Sequence, residues 1–171
     1  ENNWIYQIYD SGITHQGTGG YVAKNVRFKD NLIEYVSMGS LEYWLYDGTK
    51  DLIDNVSYTG NICRFAGYGW SFEQRPGKKS AGHIITFTSM ANKAVNFTIS
   101  NNIFELSKWG LVAATSKANT PPVLSGNTYI QTRGGYLGEY GKEGFVKFDD
   151  SVENVIKNVW GDKTAKVVFV D

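Results

Sequence analysis

One pattern occurs three times in this chain: VRFKDNLIEY (26–35), VSYTGNICRF (56–65) and FTISNNIFEL (97–106). In each copy two alternating apolar residues precede an Asn and an aliphatic residue follows it, so that Asn31, Asn61 and Asn102 align. Weaker copies surround Asn127 (LSGNTYI) and Asn158 (VIKNVW). The first four Asn are separated by 30, 41 and 25 residues, which is typical of a solenoid with short coils and loops of variable length.

The alternation and the Asn have a common physical explanation in stacked β-coils. A short strand directs alternate side chains into the interior, and the chain must then turn sharply before the next strand begins. Asn tolerates the left-handed backbone conformation of such a turn, and stacking brings equivalent Asn amides into register, where they can hydrogen-bond as a ladder. We therefore predict an all-β solenoid. The alternative is an antiparallel β-sandwich in which the Asn turns align by coincidence.

The composition fits a folded β-protein and excludes several classes of function. Aromatic residues make up 15% of the chain, and there are 19 Gly but three Pro, which favours strands joined by tight turns. Seventeen basic residues balance seventeen acidic ones, so the chain lacks the basic excess expected of a nucleic-acid-binding protein. No apolar run approaches the roughly 20 residues that span a bilayer. The single Cys63 excludes an internal disulfide, and its strand-like surroundings favour a buried free thiol.

The organisation along the chain predicts one β-helix domain over residues 1–171, with regular coils over approximately 20–130. Two polar, Gly-containing segments, 71–82 and 131–144, are expected to be loop excursions, and 145–171 a last coil or a cap. The chain opens on strand-like sequence without the capping helix that many β-helices have. We therefore expect it to be the C-terminal portion of a longer β-helix, with an upstream segment of the same protein as a partner.

The repeats resemble those of the right-handed parallel β-helix superfamily, which includes the pectate lyases and many bacterial relatives. The resemblance is carried by FTISNNIFELS (97–107) and NVSYTGNICRFAGYGW (55–70), and it implies a right-handed parallel β-helix. The family's lyase signature, clustered Asp calcium ligands followed by a catalytic Arg or Lys, is not found in this sequence. The resemblance therefore assigns no lyase residues. We predict no cofactor, and calcium stays an open alternative for which the sequence shows no ligand cluster.

A first candidate site lies in SLEYWLYDG (40–48). If this segment is a strand, Glu42, Trp44 and Tyr46 share one face. An aromatic ring can stack on the apolar face of a pyranose while a carboxylate accepts hydrogen bonds from its hydroxyls, so these residues could bind and act on a sugar. Alternatively, the aromatic residues cover an outer sheet face.

A second candidate site lies in FAGYGWSFEQRP (65–76), in which Tyr68, Trp70 and Phe72 alternate before Glu73 and Arg75. Arg75 could bind a uronic-acid carboxylate through two hydrogen bonds. It could equally form a surface ion pair with Glu73.

Alignment of the repeats predicts that these two segments meet on one face of the solenoid. Glu42 lies eleven residues past Asn31, and Trp70 lies nine past Asn61. Carboxylates on adjacent coils could approach the separation of about 5–9 Å that glycoside hydrolysis requires. We therefore take Glu42 and Glu73 as candidate catalytic residues, and Trp44, Tyr46, Tyr68, Trp70 and Arg75 as candidate substrate-binding residues.

The two histidines, His15 and His83, complete the set of candidates. Either could act as a general base, and His83 is preferred because it follows the loop that contains Arg75. Neither histidine has metal-ligand spacing to other His, Cys or acidic residues, so no metal site is predicted.

These observations favour an extracellular or cell-surface bacterial protein that acts on or binds a polysaccharide or oligosaccharide. It would be a lyase, a glycoside hydrolase or the C-terminal segment of one, with its secretion signal outside this chain. The alternative is a non-catalytic glycan-binding or adhesin module, and a third is a structural spacer. No nucleic acid and no membrane span are expected.

Overall fold

The protein folds mostly into β-strands in the computed structural model, which describes residues 1–17, 20–45, 52–74, 82–88, 93–115, 122–141 and 145–171. The strands form three sheets and are numbered in chain order. Sheet A contains, in spatial order, β1 (Trp4–Tyr6), β4 (Leu32–Glu34), β7 (Ile62–Ala66), β10 (Ile103–Ser107), β13 (Thr128–Thr132) and β16 (Lys166–Val170). Sheet B contains β15 (Val146–Lys147), β14 (Tyr136–Gly141), β11 (Gly110–Thr115), β8 (His83–Thr88), β5 (Gly39–Leu45) and β2 (Ile13–Gly17). Sheet C contains β12 (Val123–Ser125), β9 (Lys93–Ser100), β6 (Leu52–Thr59) and β3 (Val22–Lys29).

The order of the strands shows how the chain travels between the sheets. Apart from β14 and β15, which both lie in sheet B, successive strands fall in different sheets, and each sheet takes about every third strand. Neighbours within a sheet pair in parallel, apart from β14 with β15. The predicted β-helix-like stacking of parallel strands is confirmed, and the antiparallel sandwich is wrong.

An asparagine ladder joins the coils at the turn between sheet C and sheet A. The side chain of Asn31 donates to Oδ1 of Asn61 (2.8 Å), Asn61 to Asn102 (2.9 Å) and Asn102 to Asn127 (3.0 Å). At one end Asn3 donates to Asn31 (2.9 Å). Each acceptor oxygen also receives the backbone N–H of the donating residue, which satisfies the turn at every level.

The other end of the ladder corrects the sequence alignment. Asn127 donates to Asp162, and the predicted fifth copy around Asn158 lies instead in a helical segment, where Asn158 is exposed. Here the chain forms α2 (Val152–Asn154) and continues as a π-helix over Val155–Val159. Its apolar side chains pack against the core, so the VIKNVW pattern reflects an amphipathic helix rather than a coil.

The interior contains the side chains that alternate with outward-facing ones along each strand. In sheet A one fully buried column follows the registers Ile33–Cys63, Cys63–Phe104 and Phe104–Tyr129. The Cys63 thiol is free and buried, as its surroundings indicated. In sheet B the alternation buries Tyr43 and Phe87, whose rings lie 6.1 Å apart.

The crossings between sheets carry the remaining elements. The segment expected as a loop at 71–82 begins within α1 (Trp70–Gln74), and the segment expected as a loop at 131–144 includes the end of β13 and β14. No helix among the described residues is long and apolar enough to cross a membrane.

Candidate functional site

Glu42 lies in the middle of β5, between the buried core residues Leu41 and Tyr43. Alternation along the strand therefore directs its carboxylate away from the core, yet its residue is only 2% exposed. On the adjacent strand β2, Oγ1 of Thr14 donates to Oε2 of Glu42 (2.7 Å) and Nε2 of Gln16 donates to the same oxygen (3.2 Å). The carboxylate is thus held by two neutral donors.

Buried polar atoms without hydrogen-bond partners lie near Glu42. Thr86 of β8 is in register with Glu42, and its hydroxyl has no partner among the described residues. Ser40, two residues before Glu42 in β5, also has a buried hydroxyl with no hydrogen-bond partner among the described residues. Buried polar groups are normally paired, so this region can accept further hydrogen bonds from a ligand or from water.

His83 begins β8, in register with Gly39 of β5 and Gly110 of β11. Its Nδ1 is buried and has no partner within the described part of the chain. Burial lowers the pKa of His83 to about 4, so its imidazole is neutral at neutral pH and weakly basic. His15 is different, because its ring packs in the interior against Phe28 (5.1 Å) and Tyr43 (5.4 Å), and burial lowers its pKa as well.

Helix α1 carries Trp70 and Glu73 on the crossing from sheet A to sheet B. Phe72 is buried, while Trp70 is 58% exposed. The alternating Trp70 and Phe72 therefore lie in a helix and not in the strand that the pattern suggests. Residues two apart in a helix point to opposite sides, so one of these rings is buried and the other is exposed. Nζ of Lys108 holds the helix from the next coil, 3.2 Å from Oε1 of Glu73 and 4.1 Å from the centre of the Phe72 ring.

Two glycines, Gly67 at the start and Gly82 at the end of the crossing from β7 to β8, allow the backbone at the two ends to pack closely together. A Cβ atom on Gly67 would lie 2.8 Å from Cα of Gly82, and both residues have left-handed φ angles. The close approach brings the two ends of the crossing together and leaves Tyr68, which is 43% exposed, at the surface beside Trp70.

The predicted site residues therefore divide between two parts of the molecule. Glu42 and the backbone of Trp44 lie in β5, and His83 begins the adjacent strand β8, whereas Tyr68, Trp70 and Glu73 lie on the crossing. Glu42 and Glu73 are engaged by different partners. Tyr46 and Arg75 lie outside the described residues.

A row of aromatic side chains that the sequence did not predict runs across the outer face of sheet A. Two of its rings, Trp4 and Tyr6, are exposed, whereas Tyr35 and Phe65 are half-buried. We call Trp4, Tyr6, Tyr35 and Phe65 the aromatic row. Ring centres are 5.7 Å apart from Trp4 to Tyr6, 5.6 Å from Tyr6 to Tyr35 and 5.0 Å from Tyr35 to Phe65. Trp4 and Tyr6 lie side by side on β1, and from Tyr6 through Tyr35 to Phe65 the row follows the stacking direction of the coils. The first ring, Trp4, is 70% exposed.

The backbone holds two of these rings in an unusual conformation. Tyr35 follows β4 with φ +54°, and Phe65 near the end of β7 has φ +59°. Bulky residues rarely adopt left-handed φ angles, and doing so costs on the order of 1–3 kcal/mol. The left-handed turn at equivalent positions stacks the two rings on each other, with 30° between their planes.

A row of charged side chains lies beside the aromatic row on the same face. Glu34, Arg64 and Glu105 are in register on β4, β7 and β10, and we call them the charged row. Nε of Arg64 donates to Oε1 of Glu34 (2.6 Å), and Nη1 lies 4.0 Å from Oε2 of Glu105. Glu34 is 6% exposed and also accepts from Nε1 of Trp4 (2.8 Å), so it fixes the first ring of the aromatic row.

The crossing residues are continuous with the aromatic row. A Cβ atom on Gly69, between Tyr68 and Trp70, would lie 3.5 Å from the ring of Tyr35. The predicted binding residues Tyr68 and Trp70 are therefore placed next to the aromatic row on sheet A.

The sequence contained a signal for this row. Tyr35 and Phe65 both lie four residues past a ladder Asn, and Leu106 takes the same position in the next copy. Within the described residues, no group of three or more His, Cys, Asp or Glu side chains is arranged to hold a metal ion.

Comparison with known proteins finds no family model, no curated protein and no solved structure that matches this chain.

Proposed function

We propose that this protein is a right-handed parallel β-helix that binds a polysaccharide along the outer face of sheet A. The observation that carries the proposal is the aromatic row, in which Trp4, Tyr6, Tyr35 and Phe65 follow one another at 5.0–5.7 Å across three coils. Exposed apolar surface that is continuous and rimmed by polar groups is typical of a binding site.

The chemistry of the face suits a sugar polymer. The exposed rings of Trp4 and Tyr6 can stack on the apolar faces of pyranose units, and Tyr35 and Phe65, which stack on each other, extend the apolar surface beside them. Large rigid rings bind with little loss of conformational entropy. The charged row supplies carboxylate acceptors and guanidinium donors beside the rings, as sugar hydroxyls require. Because the row follows the stacking direction, the polymer would lie along the axis of the solenoid. We propose a secreted or cell-surface bacterial location, where such polymers occur.

The experiment that tests this function measures binding of the purified chain to soluble and insoluble polysaccharides by affinity electrophoresis and calorimetry. Trp4→Ala and Tyr35→Ala should each weaken binding about tenfold or more. Phe145→Ala is the matched control, since Phe145 is a 50% exposed ring that contacts Tyr136 at the end of sheet B. It should bind as the unaltered chain does.

Equal losses in all three variants would point to general destabilisation, and circular dichroism with urea unfolding of each variant separates that case. If no polysaccharide binds, or if binding survives both row substitutions, the aromatic row is not a glycan site.

A second candidate function is catalysis on a polysaccharide at Glu42, with His83 and Glu73 as further catalytic candidates. The observation that favours it is the nearly buried carboxylate of Glu42, which lies among polar groups and in register with Thr86, whose hydroxyl has no partner in the described part of the chain. Glu42→Gln keeps the shape of the side chain and removes its charge. For an enzyme, this variant should lose product formation, measured as new reducing ends, while glycan binding at sheet A persists. Absence of any product from the unaltered chain would leave the binding function alone.

A further inference from the structure

The charges around the aromatic row restrict the class of polysaccharide that can bind there. The charged row holds one guanidinium, that of Arg64, between the carboxylates of Glu34 and Glu105. Its formal charge is therefore minus one. Among the described residues of the adjoining crossing, Glu73 forms an ion pair with Lys108 of the next coil, and this pair adds no net charge.

We propose that the aromatic row selects uncharged polysaccharides and disfavours polyuronates, an inference that rests on the proposed glycan-binding function. A uronate carboxylate is stabilised most by a cation whose charge is not already neutralised by carboxylates of the protein. Arg64 is already held by Nε at 2.6 Å from Glu34, and its guanidinium carbon lies 5.3 Å from the centre of the Phe65 ring. Releasing it would leave the carboxylate of Glu34, which is 6% exposed, without its counter-charge, which is costly.

A neutral sugar meets no such conflict. Its hydroxyls can donate to the carboxylate of Glu105, whose side chain is 25% exposed, and accept from the guanidinium N–H groups of Arg64 that do not face Glu34. A uronate carboxylate at the same place would face Glu105 directly, and like charges at contact distance repel each other.

The position of Glu34 strengthens the selection. The same carboxylate binds both Nε1 of Trp4 and Nε of Arg64, so the first stacking ring and the guanidinium share one anchor. A ligand that draws Arg64 away also disturbs the ring on which a sugar would stack.

The test compares pairs of polymers that differ in charge: galactan with polygalacturonate, and mannan with polymannuronate alginate. Affinity electrophoresis at 50 and 500 mM NaCl should show about tenfold or greater preference for the neutral member of at least one pair. Binding of the neutral polymer should be insensitive to salt, because no net charge is neutralised.

Two variants probe the mechanism. Glu105→Gln removes one of the two carboxylates around Arg64, so it should increase the ratio of polyuronate to neutral binding. Glu153→Gln is the control, since Glu153 is an exposed carboxylate paired with Lys157 in the C-terminal helix, and it should leave that ratio unchanged.

The outcomes separate the two proposals. Equal or stronger binding of the polyuronates by the unaltered chain, lost on Trp4→Ala, would overturn the charge selection and leave the glycan-binding function standing. An unchanged ratio in Glu105→Gln would also overturn it. Failure of both members of every pair to bind, and of a glucan and a xylan as well, would overturn the binding function itself.

Discussion

Asn127 donates through Nδ2 to Oδ2 of Asp162 at 2.9 Å, and this bond ends the asparagine ladder. Every ladder amide donates in the same direction along the stack, so the last one requires an acceptor. Asp162 is fully buried, and its carboxylate also accepts from the backbone N–H of Gly126 (2.6 Å) and Asn127 (3.2 Å) and from the hydroxyl of Tyr129 (3.3 Å). An ionised carboxylate, which only accepts, suits four converging donors.

Asp162→Asn should therefore destabilise the protein although it changes few atoms. The introduced NH₂ group is a donor and would face other donors. We expect the free energy of unfolding to fall by about 2–4 kcal/mol, since hydrogen bonds to charged groups contribute about 1.5–3 kcal/mol each. Urea unfolding at pH 7 measures this. Asp150→Asn, at an 89% exposed carboxylate paired with Arg133, should change stability by less than about 1 kcal/mol.

Asn61→Ala removes the central amide of the ladder. It deprives the N–H and Nδ2 of Asn31 of their acceptor, and the carbonyl of Phe28 and Oδ1 of Asn102 of a donor. Buried groups left unpaired cost about 1–3 kcal/mol each, so we expect a loss of roughly 3–5 kcal/mol in urea unfolding. Asn158→Ala should be close to neutral because Asn158 is exposed in the C-terminal helix. A large loss for Asn158→Ala with a small one for Asn61→Ala would contradict the ladder.

The thiol of Cys63 should be unreactive in the native protein. Cys63 is fully buried in the inward column between Ile33 and Phe104, and burial raises the pKa of its thiol. Only the thiolate reacts, so a thiol-specific chromogenic reagent should detect no free thiol in buffer and one per chain in 6 M guanidinium chloride. Rapid labelling in buffer would show that the column opens locally.

Stability should decline as the pH falls from about 6.5 to about 4. His83 has a folded-state pKa lowered by burial to about 4, whereas an unfolded histidine titrates near 6.5. Between these values the unfolded chain binds more protons, so acid favours unfolding. The contribution of His83 to the free energy of unfolding, roughly 3 kcal/mol, is fully present above about pH 6.5 and is lost by about pH 4.

His83→Gln should flatten this dependence without removing it. The remaining slope arises in part from His15, whose pKa burial lowers too. Urea midpoints measured at intervals between pH 4 and pH 8 for both proteins provide the comparison. An identical pH profile in the variant would show that His83 is accessible to protons in the folded state.

The local pattern of strands and turns was readable from the sequence because it depends on near neighbours. Two apolar positions before an Asn and one after it describe a strand, a left-handed turn and the next strand, and the structure has this order around Asn31, Asn61 and Asn102. The left-handed φ angle belongs to the residue directly before each ladder Asn, namely Asp30, Gly60 and Asn101, so the expectation that the Asn itself adopts it is wrong. The prediction of a fifth coil at Asn158 is wrong, because an amphipathic helix and a β-coil can contain the same short pattern of apolar residues.

The candidate site could be predicted only in part from the sequence. Glu42, Trp70 and Glu73 were placed on one face by counting residues from the ladder, but crossings of different length and conformation separate them. Helix α1 buries Phe72 and leaves Trp70 exposed, which a strand pattern could not indicate. The backbone between Tyr68 and Trp70 packs on Tyr35 at Gly69.

The sequence by itself determined the all-β character, the turns at the ladder and the buried thiol, because each follows from local backbone preference and alternation. The tertiary structure alone decided that Trp4 and Tyr6 join Tyr35 and Phe65 in one row, and that Asp162 receives the last amide. Both depend on the register between coils, and that register is set by the packing of the shared interior together with loops whose lengths differ from one coil to the next. Residues distant in the chain become neighbours only when the stack is assembled.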